Sequence, residues 1–422
     1  DEGTIMIKLG QEEPIVSMDS SGKVVWAKNH EIQLTKILKG KTYTTVSDGE
    51  QLQLSSDDLG SCEFYPSYLK HNKNGQLIAV CGDGEYTIYT ALRLKHKSFG
   101  EGSDFAWSTI SNGSSIYATK QSSSKIKIYK NFKEFKTIRT SYTIQKIFGG
   151  YLLGVKSGDD IYFYSWDTGI CIRRIEVVPN NVYWSSEGTT VAIVCNDNFY
   201  VLRYNEDIVD KYITNNISIE EHGIETAFDL EQDINEVVTS GCYSGEVFVY
   251  TNSSQRLNYY IGGQVITLVH LDRVFYVLGY IQKANRVYLI DKRYCIVSYE
   301  LLRYVLAYQA AIVRDDLRTA NMLIEKKKID NKHFNKLAQF LEGQGHKELA
   351  LKVSNDPEHQ FELALSLKKL NLAKQILLKS PSAQKWKQLA DLALAECDFI
   401  TVEEAAKNAN DLSLLYLLYT ST

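Results

Sequence analysis

The feature that most constrains this chain is a group of short strand patterns that returns about every 40 residues. The clearest group is an apolar run at Gln76–Cys81, a Gly-Asp-Gly turn at 82–84, and an alternating run at Glu85–Thr90. Such a sheet cannot bury both of its faces alone, but stacking around a ring covers them. About seven groups before residue 300 therefore predict a seven-bladed WD40-like β-propeller.

The other groups follow the same order along the chain. Their strands are predicted at Ile5–Leu9, Ile15–Met18 and Lys23–Lys28, at Leu92–Phe99, at Ser115–Thr119, Lys125–Lys130 and Glu134–Ile138, at Tyr151–Lys156, Ile161–Trp166 and Ile170–Val177, at Thr190–Cys195, Phe199–Tyr204 and Asp210–Ile213, at Glu236–Ser240, Glu246–Thr251 and Arg256–Ile261, and at Arg273–Tyr280, Arg286–Asp291 and Cys295–Glu300. One Trp-Asp pair, at 166–167, matches the blade signature of WD repeats. A β-sandwich is the rival fold, and seven nearly equal groups disfavour it.

The composition changes near residue 300. Before this point the chain has 24 Gly, 24 Tyr and 8 Ala, and after it 2 Gly, 4 Tyr and 15 Ala. Since Gly and Tyr favour turns and strands while Ala favours helix, an all-β domain at 1–300 precedes an all-α domain at 301–422. Apolar positions at helical spacing and short connections predict an α-solenoid of helix pairs. Its last helix, Leu412–Leu418, has no polar capping face, so we expect the natural chain to continue.

Sequence motifs of catalysis are missing. There is no Walker A sequence, no GxGxxG, no HExxH and no GxSxG. Seven cysteines form no CxxC, and His333, His346 and His359 are too widely spaced to suggest a metal site. We therefore predict a binding and assembly protein and not an enzyme, and assign no catalytic, cofactor-binding or metal residue. A net charge of −4 gives no reason to expect nucleic-acid binding.

Several strings resemble one family, the β′ subunits of the COPI coatomer (beta-prime-COP). They are Trp26-Ala27-Lys28, Gly60-Ser61-Cys62-Glu63-Phe64-Tyr65-Pro66, Val80-Cys81-Gly82-Asp83-Gly84-Glu85-Tyr86, Lys130-Asn131-Phe132-Lys133-Glu134, Arg173-Arg174-Ile175-Glu176, Gly223-Ile224-Glu225, Arg256-Leu257-Asn258-Tyr259-Tyr260, Asp356-Pro357-Glu358-His359 and Lys385-Trp386-Lys387-Gln388-Leu389-Ala390. They run over nearly the whole chain in the family's order. The family has two propellers followed by a solenoid, and this chain resembles the second propeller and the start of the solenoid. Residues 1–9 resemble the tail of the preceding propeller.

The resemblance implies a structural subunit of a vesicle coat. The chain would act as a scaffold in Golgi-to-ER and intra-Golgi transport, cytoplasmic and peripheral on Golgi membranes and COPI-coated vesicles. Its partners would be alpha-COP, other coatomer subunits and the ARF GTPase that recruits the coat. Dilysine cargo signals would bind the family's first propeller, which is absent here, so no cargo-binding residue is assigned.

Two other interpretations remain open. A propeller can serve as a substrate adaptor, for example of a ubiquitin ligase, and other scaffolds also join a propeller to a solenoid. The long helical part, joined without a linker near residue 300, favours the coat.

Overall fold

The structure is a computed structural model that describes residues 13–37, 46–110, 115–215, 222–326 and 328–421. The chain divides into two compact units, Asp1–Leu302 and Arg303–Thr422. The strand predicted at Ile5–Leu9 lies outside the described residues.

The first unit consists of antiparallel sheets. Its strands are β1 (Val16–Met18), β2 (Lys23–Lys28), β3 (Glu31–Lys36), β4 (Asp57–Ser61), β5 (Tyr68–His71), β6 (Leu77–Gly82), β7 (Glu85–Thr90), β8 (His96–Glu101), β9 (Asp104–Trp107), β10 (Ile116–Ser122), β11 (Lys125–Lys130), β12 (Lys133–Arg139), β13 (Lys146–Phe148), β14 (Leu153–Ser157), β15 (Asp160–Tyr164), β16 (Cys171–Ile175), β17 (Asn181–Trp184), β18 (Thr190–Val194), β19 (Phe199–Tyr204), β20 (Phe228–Ile234), β21 (Val238–Ser244), β22 (Val247–Asn252), β23 (Arg256–Ile261), β24 (Gln264–His270), β25 (Tyr276–Ile281), β26 (Arg286–Ile290) and β27 (Ile296–Glu300).

In the described residues these strands form seven sheets, or blades, in chain order. Six blades have four strands each, beginning with β1–β4 and ending with β21–β24, and blade 7 has β25–β27. The first strand of one blade contacts the first strand of the next at several steps, including β1 with β5, β9 with β13, and β25 with β1. These strands line the centre of the ring, and the predicted seven-bladed propeller is confirmed.

The core lies between neighbouring blades, because each sheet is covered on both faces. All six residues of β22 are buried, and so is the apolar run Val287–Ile290 of β26. Between blades 2 and 3, the ring of Tyr117 stacks on that of Tyr129 at 4.9 Å between centroids and on that of Phe105 at 5.1 Å. Aromatic residues thus fill the wedges that widen toward the rim.

Two short motifs behave as the sequence predicts. Asp83 and Gly84 connect β6 to β7, with φ of 53° and 81°, as a two-residue hairpin turn requires. Trp166 follows β15 and is 1% exposed, and its indole Nε1 donates a hydrogen bond to the Gly150 carbonyl at 3.1 Å. A Cβ at Gly150 would overlap the Trp184 ring, so this position requires glycine.

One predicted strand is wrong. Asp210–Ile213 lies in helix α1 (Glu206–Thr214). The apolar residues Ile208, Val209, Tyr212 and Ile213 have helical spacing and pack on the core between blades 4 and 5. Two acidic residues in the first turn suit the positive end of the helix dipole.

The outer edge of blade 7 is covered by a segment from blade 1. In the connection from β3 to β4, Gln51 pairs antiparallel with Val297 of β27, and Leu52 N donates to the Ile296 carbonyl at 2.9 Å. The Asp48 carboxylate accepts hydrogen bonds from the Arg286 guanidinium and from Glu300 N. The closing segment, residues 46–54, therefore takes the place of a fourth strand in blade 7.

The outer edge of blade 4 is covered in a similar way. Arg173 of β16 pairs antiparallel with Gly223, and Ile224 N donates to the Ile172 carbonyl at 2.7 Å. Gly223 has φ of 85°, and a Cβ there would collide with the Ile172 backbone. The covering residues come from the connection between β19 and β20 in the next blade.

A polar cluster holds the start of blade 6. One oxygen of Glu236, Oε2, accepts from Tyr250 Oη at 2.9 Å, from Asn252 Nδ2 at 3.1 Å and from Asn258 Nδ2 at 3.0 Å. The three donors are buried. Because buried donors need acceptors, this carboxylate fixes the loop between β20 and β21.

The second unit is helical throughout its described length. Its helices are α2 (Arg303–Val313), α3 (Leu317–Glu325), α4 (Phe334–Gly343), α5 (Lys347–Val353), α6 (Pro357–Ser366), α7 (Leu370–Lys379), α8 (Ala383–Ala395), α9 (Phe399–Ala409) and α10 (Leu412–Ser421). Consecutive helices pack in pairs, and the predicted α-solenoid is confirmed. The Asp356 side chain caps α6 by accepting from Glu358 N at 3.0 Å, ahead of Pro357 in the first turn.

Candidate interaction surfaces

The side chains considered for chemistry in the sequence do not converge. His359 Nε2 lies 2.9 Å from Glu342 Oε2, whereas His333 and His346 precede two different helices. Within the described ranges, no three His, Cys, Asp or Glu side chains are grouped as a metal ion would require.

The last helix presents an apolar surface. On α10, Leu414 and Leu418 face α9 and pack with the core near Val402. On other sides of α10, Leu412 and Tyr416 are 78% and 74% exposed. The remaining exposed apolar residues at this end are Phe399, Ile400, Leu417 and Tyr419. Large exposed apolar side chains on two packed helices indicate an interaction surface, which we call the α9–α10 surface.

Charged side chains at the inner wall of the ring have much protein around them, although Glu13, Lys70 and Lys146 keep exposed surface. Burial lowers the pKa values of Lys70 and Lys146, and burial raises those of Glu13 and Asp104. Coulombic attraction to the opposite charges nearby offsets part of each effect. Lys146 Nζ also donates to the Asn180 carbonyl of the next blade at 3.1 Å. This last contact ties neighbouring blades together, which is a structural role.

The charge of the propeller is unevenly distributed. Residues 93–139, in blades 2 and 3, have ten Lys and Arg against three Asp and Glu, a net +7. Residues 157–236, mostly in blades 4 and 5, have four against sixteen, a net −12. The overall charge of −4 is therefore the sum of a basic region and an acidic region.

Family models match both units. A model described as the COPA/B second beta-propeller matches residues 29–291, and a model of the COPA/B TPR domain matches residues 308–422. The chain belongs to the COPA/B family of coatomer subunits. This confirms the resemblance seen in the sequence.

Relatives at high identity extend over the whole chain. Coatomer subunit beta′ of Rattus norvegicus is 46% identical over 422 residues, which are 100% of this chain and 46% of that protein. Coatomer subunit beta′-1 of Arabidopsis thaliana is 47% identical over the same length and 45% of its own. The chain thus spans about half the length of these relatives, which are named for a coat subunit and not for a catalytic activity.

A solved structure shares the fold over much of the chain. A chain in the crystal structure of the mitotic checkpoint complex has a TM-score of 0.50 and 10% identity, and the match covers 72% of this chain and 96% of that chain. At this identity the likeness concerns the fold alone. In the part of the chain that the structure describes, no helix is long and apolar enough to cross a bilayer.

Proposed function

We propose that this chain is a structural part of the COPI vesicle coat, acting as an assembly scaffold in Golgi-to-ER retrograde and intra-Golgi transport. The observation that carries this proposal is the match to coatomer β′ subunits at 46% identity over all 422 residues of this chain, across both units. A propeller followed by stacked helix pairs offers extended binding surfaces, as a scaffold needs.

The proposed partners are alpha-COP and the other coatomer subunits, with ARF GTPase recruiting the assembled coat to the membrane. The chain would then be cytoplasmic and peripheral on Golgi membranes and COPI-coated vesicles. Dilysine cargo would be bound by a different propeller of the complete subunit. The α9–α10 surface supports contacts with further helices, because its exposed residues are large and apolar.

A segment exchange tests the coat function directly. Since all 422 residues of the chain align with one part of its relatives, the chain can replace the matching segment in the β′ subunit of a host cell. We expect the chimera to assemble into coatomer and to return a dilysine-tagged reporter to the ER. The control chimera has an unrelated seven-bladed propeller in place of residues 13–302. Failure of the first chimera to assemble, although it is folded and expressed, would refute the proposal.

A direct binding assay tests the partner. Sedimentation velocity would compare the chain alone with the chain mixed with the alpha-COP solenoid. A heterocomplex is expected, and Tyr416→Glu with Leu417→Glu should weaken it if the α9–α10 surface contributes. Lys374→Glu, on another helix, is unsuitable as a control because Lys374 pairs with Glu404. Lys352→Glu, at the end of α5, changes a cation without a described ion pair and is the matched control.

A further inference from the structure

The outer edge of blade 3 is open in the described structure. Its last strand, β12, pairs with β11 on one side and is the end of the sheet order. A strand edge has unpaired N–H and C=O groups that can bind another extended segment. Blades 4 and 7 differ, because their edges are covered by residues 222–224 and by the closing segment.

The hairpin that forms this edge is strongly basic. Residues 125–139 contain six Lys and Arg and one acidic residue, Glu134, which pairs with Lys127 at 2.7 Å. In the described part of the chain, Lys133 and Arg139 make no ion pair, and both are exposed. Unpaired positive charge therefore lies on the open edge itself.

Two cross-strand pairs in this hairpin place like charges opposite each other. Lys125 is opposite Arg139, and Lys130 is opposite Lys133. Such pairs destabilise a sheet. Lys130 Nζ lies 3.8 Å from the exposed Asp167 carboxylate, whereas Lys125 and Arg139 have no ion pair in the described structure. Because this repulsion lowers the stability of the hairpin, the cations point to a role outside folding. An anionic ligand bound between them would relieve the repulsion.

An exposed aromatic residue lies among the cations. Phe135 is at a bulge of β12 and is 43% exposed. The Nζ atoms of Lys130 and Lys136 lie 5.3 and 6.0 Å from its ring centroid. Phe135 offers an apolar contact to one side chain of a bound strand, and the lysines offer contacts to its acidic neighbours.

The same molecule contains examples of the expected geometry. The closing segment, which adds to β27, carries Asp48 and Glu50, and Asp48 binds Arg286 of the receiving blade. The segment that adds to β16 has no acidic residue in its paired part, residues 222–224, and there Arg174 Nη1 lies 3.4 Å from His222 Nδ1. Both blades show that an extended segment can cover an outer edge, and blade 7 shows an acidic residue of that segment bound to an arginine of the receiving blade.

We propose that the β12 edge of blade 3 binds an extended acidic peptide segment of a partner protein, added antiparallel or parallel as a fifth strand. Backbone hydrogen bonds to β12 would hold the segment, and its alternate carboxylates would lie beside Lys133, Arg139 and Lys125. This inference is independent of the proposed coat function, since it concerns the chemistry of one edge.

The test uses a labelled peptide and the whole chain. The probe is a fluorescein-labelled peptide of about nine alternating Glu and Val residues, longer than a typical strand. A second probe keeps every Glu but replaces the Val residues with Pro, which cannot form ladder hydrogen bonds. Fluorescence anisotropy should show binding of the first probe, weakened by salt, and at least about tenfold weaker binding of the second.

Charge reversal locates the site. Lys133→Glu with Arg139→Glu should weaken binding of the first probe about tenfold or more. Lys28→Glu with Lys283→Glu makes the same change in net charge on other blades, at exposed residues, and should leave the affinity within about twofold. Circular dichroism spectra of both variants, unchanged from the original chain, establish that they are folded.

Three outcomes would overturn the proposal. Equal binding of the Val and Pro probes means that charge alone attracts the peptide, without an added strand. Equal weakening by both double variants means that the site is not at β12. Lack of peptide binding, with flotation on phosphatidylserine vesicles that K133E/R139E abolishes, means that the edge binds a membrane instead.

Discussion

The stability of the propeller should fall in mildly acidic solution because of one buried histidine. His71 in β5 is 7% exposed, and its Nδ1 lies 2.9 Å from Ser17 Oγ. Its Nε2 is buried without a hydrogen-bond partner in the described structure. Burial lowers the pKa of His71 to about 4, while the Asp19 carboxylate opposes this effect and Lys23 adds to it.

The direction in which stability changes with pH depends on which state, folded or unfolded, binds the proton more tightly. The unfolded imidazole has a pKa of 6.5 and the folded one about 4, so the unfolded chain binds more protons between these values. Stability is therefore lost as the pH falls from 6.5 toward 4, and this group causes no further loss below 4. Linkage gives a loss of roughly 2 kcal/mol between about pH 7.5 and about pH 5. The pKa of Asp19 is lowered from 3.8 despite burial, by hydrogen bonds from Lys23 N and Ser21, so its contribution is lost at still lower pH.

Urea unfolding at the two pH values measures this loss. Four of the five tryptophans lie in the first unit, so their fluorescence reports mainly on the propeller. His71→Gln removes the titrating group, and its pH dependence should be about 2 kcal/mol smaller than that of the original chain, whatever its absolute stability. His270→Gln, at an exposed position, is the control. Equal pH dependence in the original chain and His71→Gln would refute the reasoning.

Three other changes have defined results. Glu236→Ala leaves three buried donors without their shared acceptor, so it should lower the free energy of unfolding by about 3 kcal/mol, and Glu236→Gln should lower it less. A loss below about 1 kcal/mol for Glu236→Ala in urea unfolding would contradict this. Asp48→Ala removes the carboxylate that accepts from Arg286, so it should lower the free energy of unfolding by about 1–2 kcal/mol and speed limited proteolysis near residue 48. An unchanged rate of cleavage would argue against a role of Asp48 in closing the ring. Cys397 is exposed, whereas burial raises the pKa of Cys171 to about 11. Cys397→Ser should therefore remove the fast phase of the reaction with Ellman's reagent, and persistence of that phase would show that another cysteine is accessible.

The propeller could be predicted from sequence because the middle strands of the blades leave a clear signal. Strands such as β7, β11, β19 and β23 occupy the predicted ranges, since apolar or aromatic residues recur in them at strand spacing and recognisable turns join them. The inner strands are harder to predict. β13 and β17 have three and four residues, too few to show a period of two.

Other features depend on contacts between distant residues. The pairing of Gln51 with Val297 cannot be inferred from either local sequence, and neither can the cover over β16. The basic hairpin at 125–139 is visible in the sequence, but the pairing register was needed to place Lys125 opposite Arg139 and to identify β12 as an edge. The open β12 edge therefore could not be predicted, whereas the apolar character of the last helix, Leu412–Leu418, is evident in the sequence.

The closing segment has a consequence for the order of synthesis. Asp48 and Glu300 are separated by 252 residues, so the seam between the first and last blades cannot form until residue 300 has left the ribosome. At about 5–20 residues per second, that delay is roughly 13 to 50 s. During this delay the nascent propeller has an open first blade and an open last blade, and the apolar residues on their outward faces have no neighbouring blade to pack against. A chaperone that binds apolar segments would thus find its substrate in the growing chain, before the helical unit exists to be assembled.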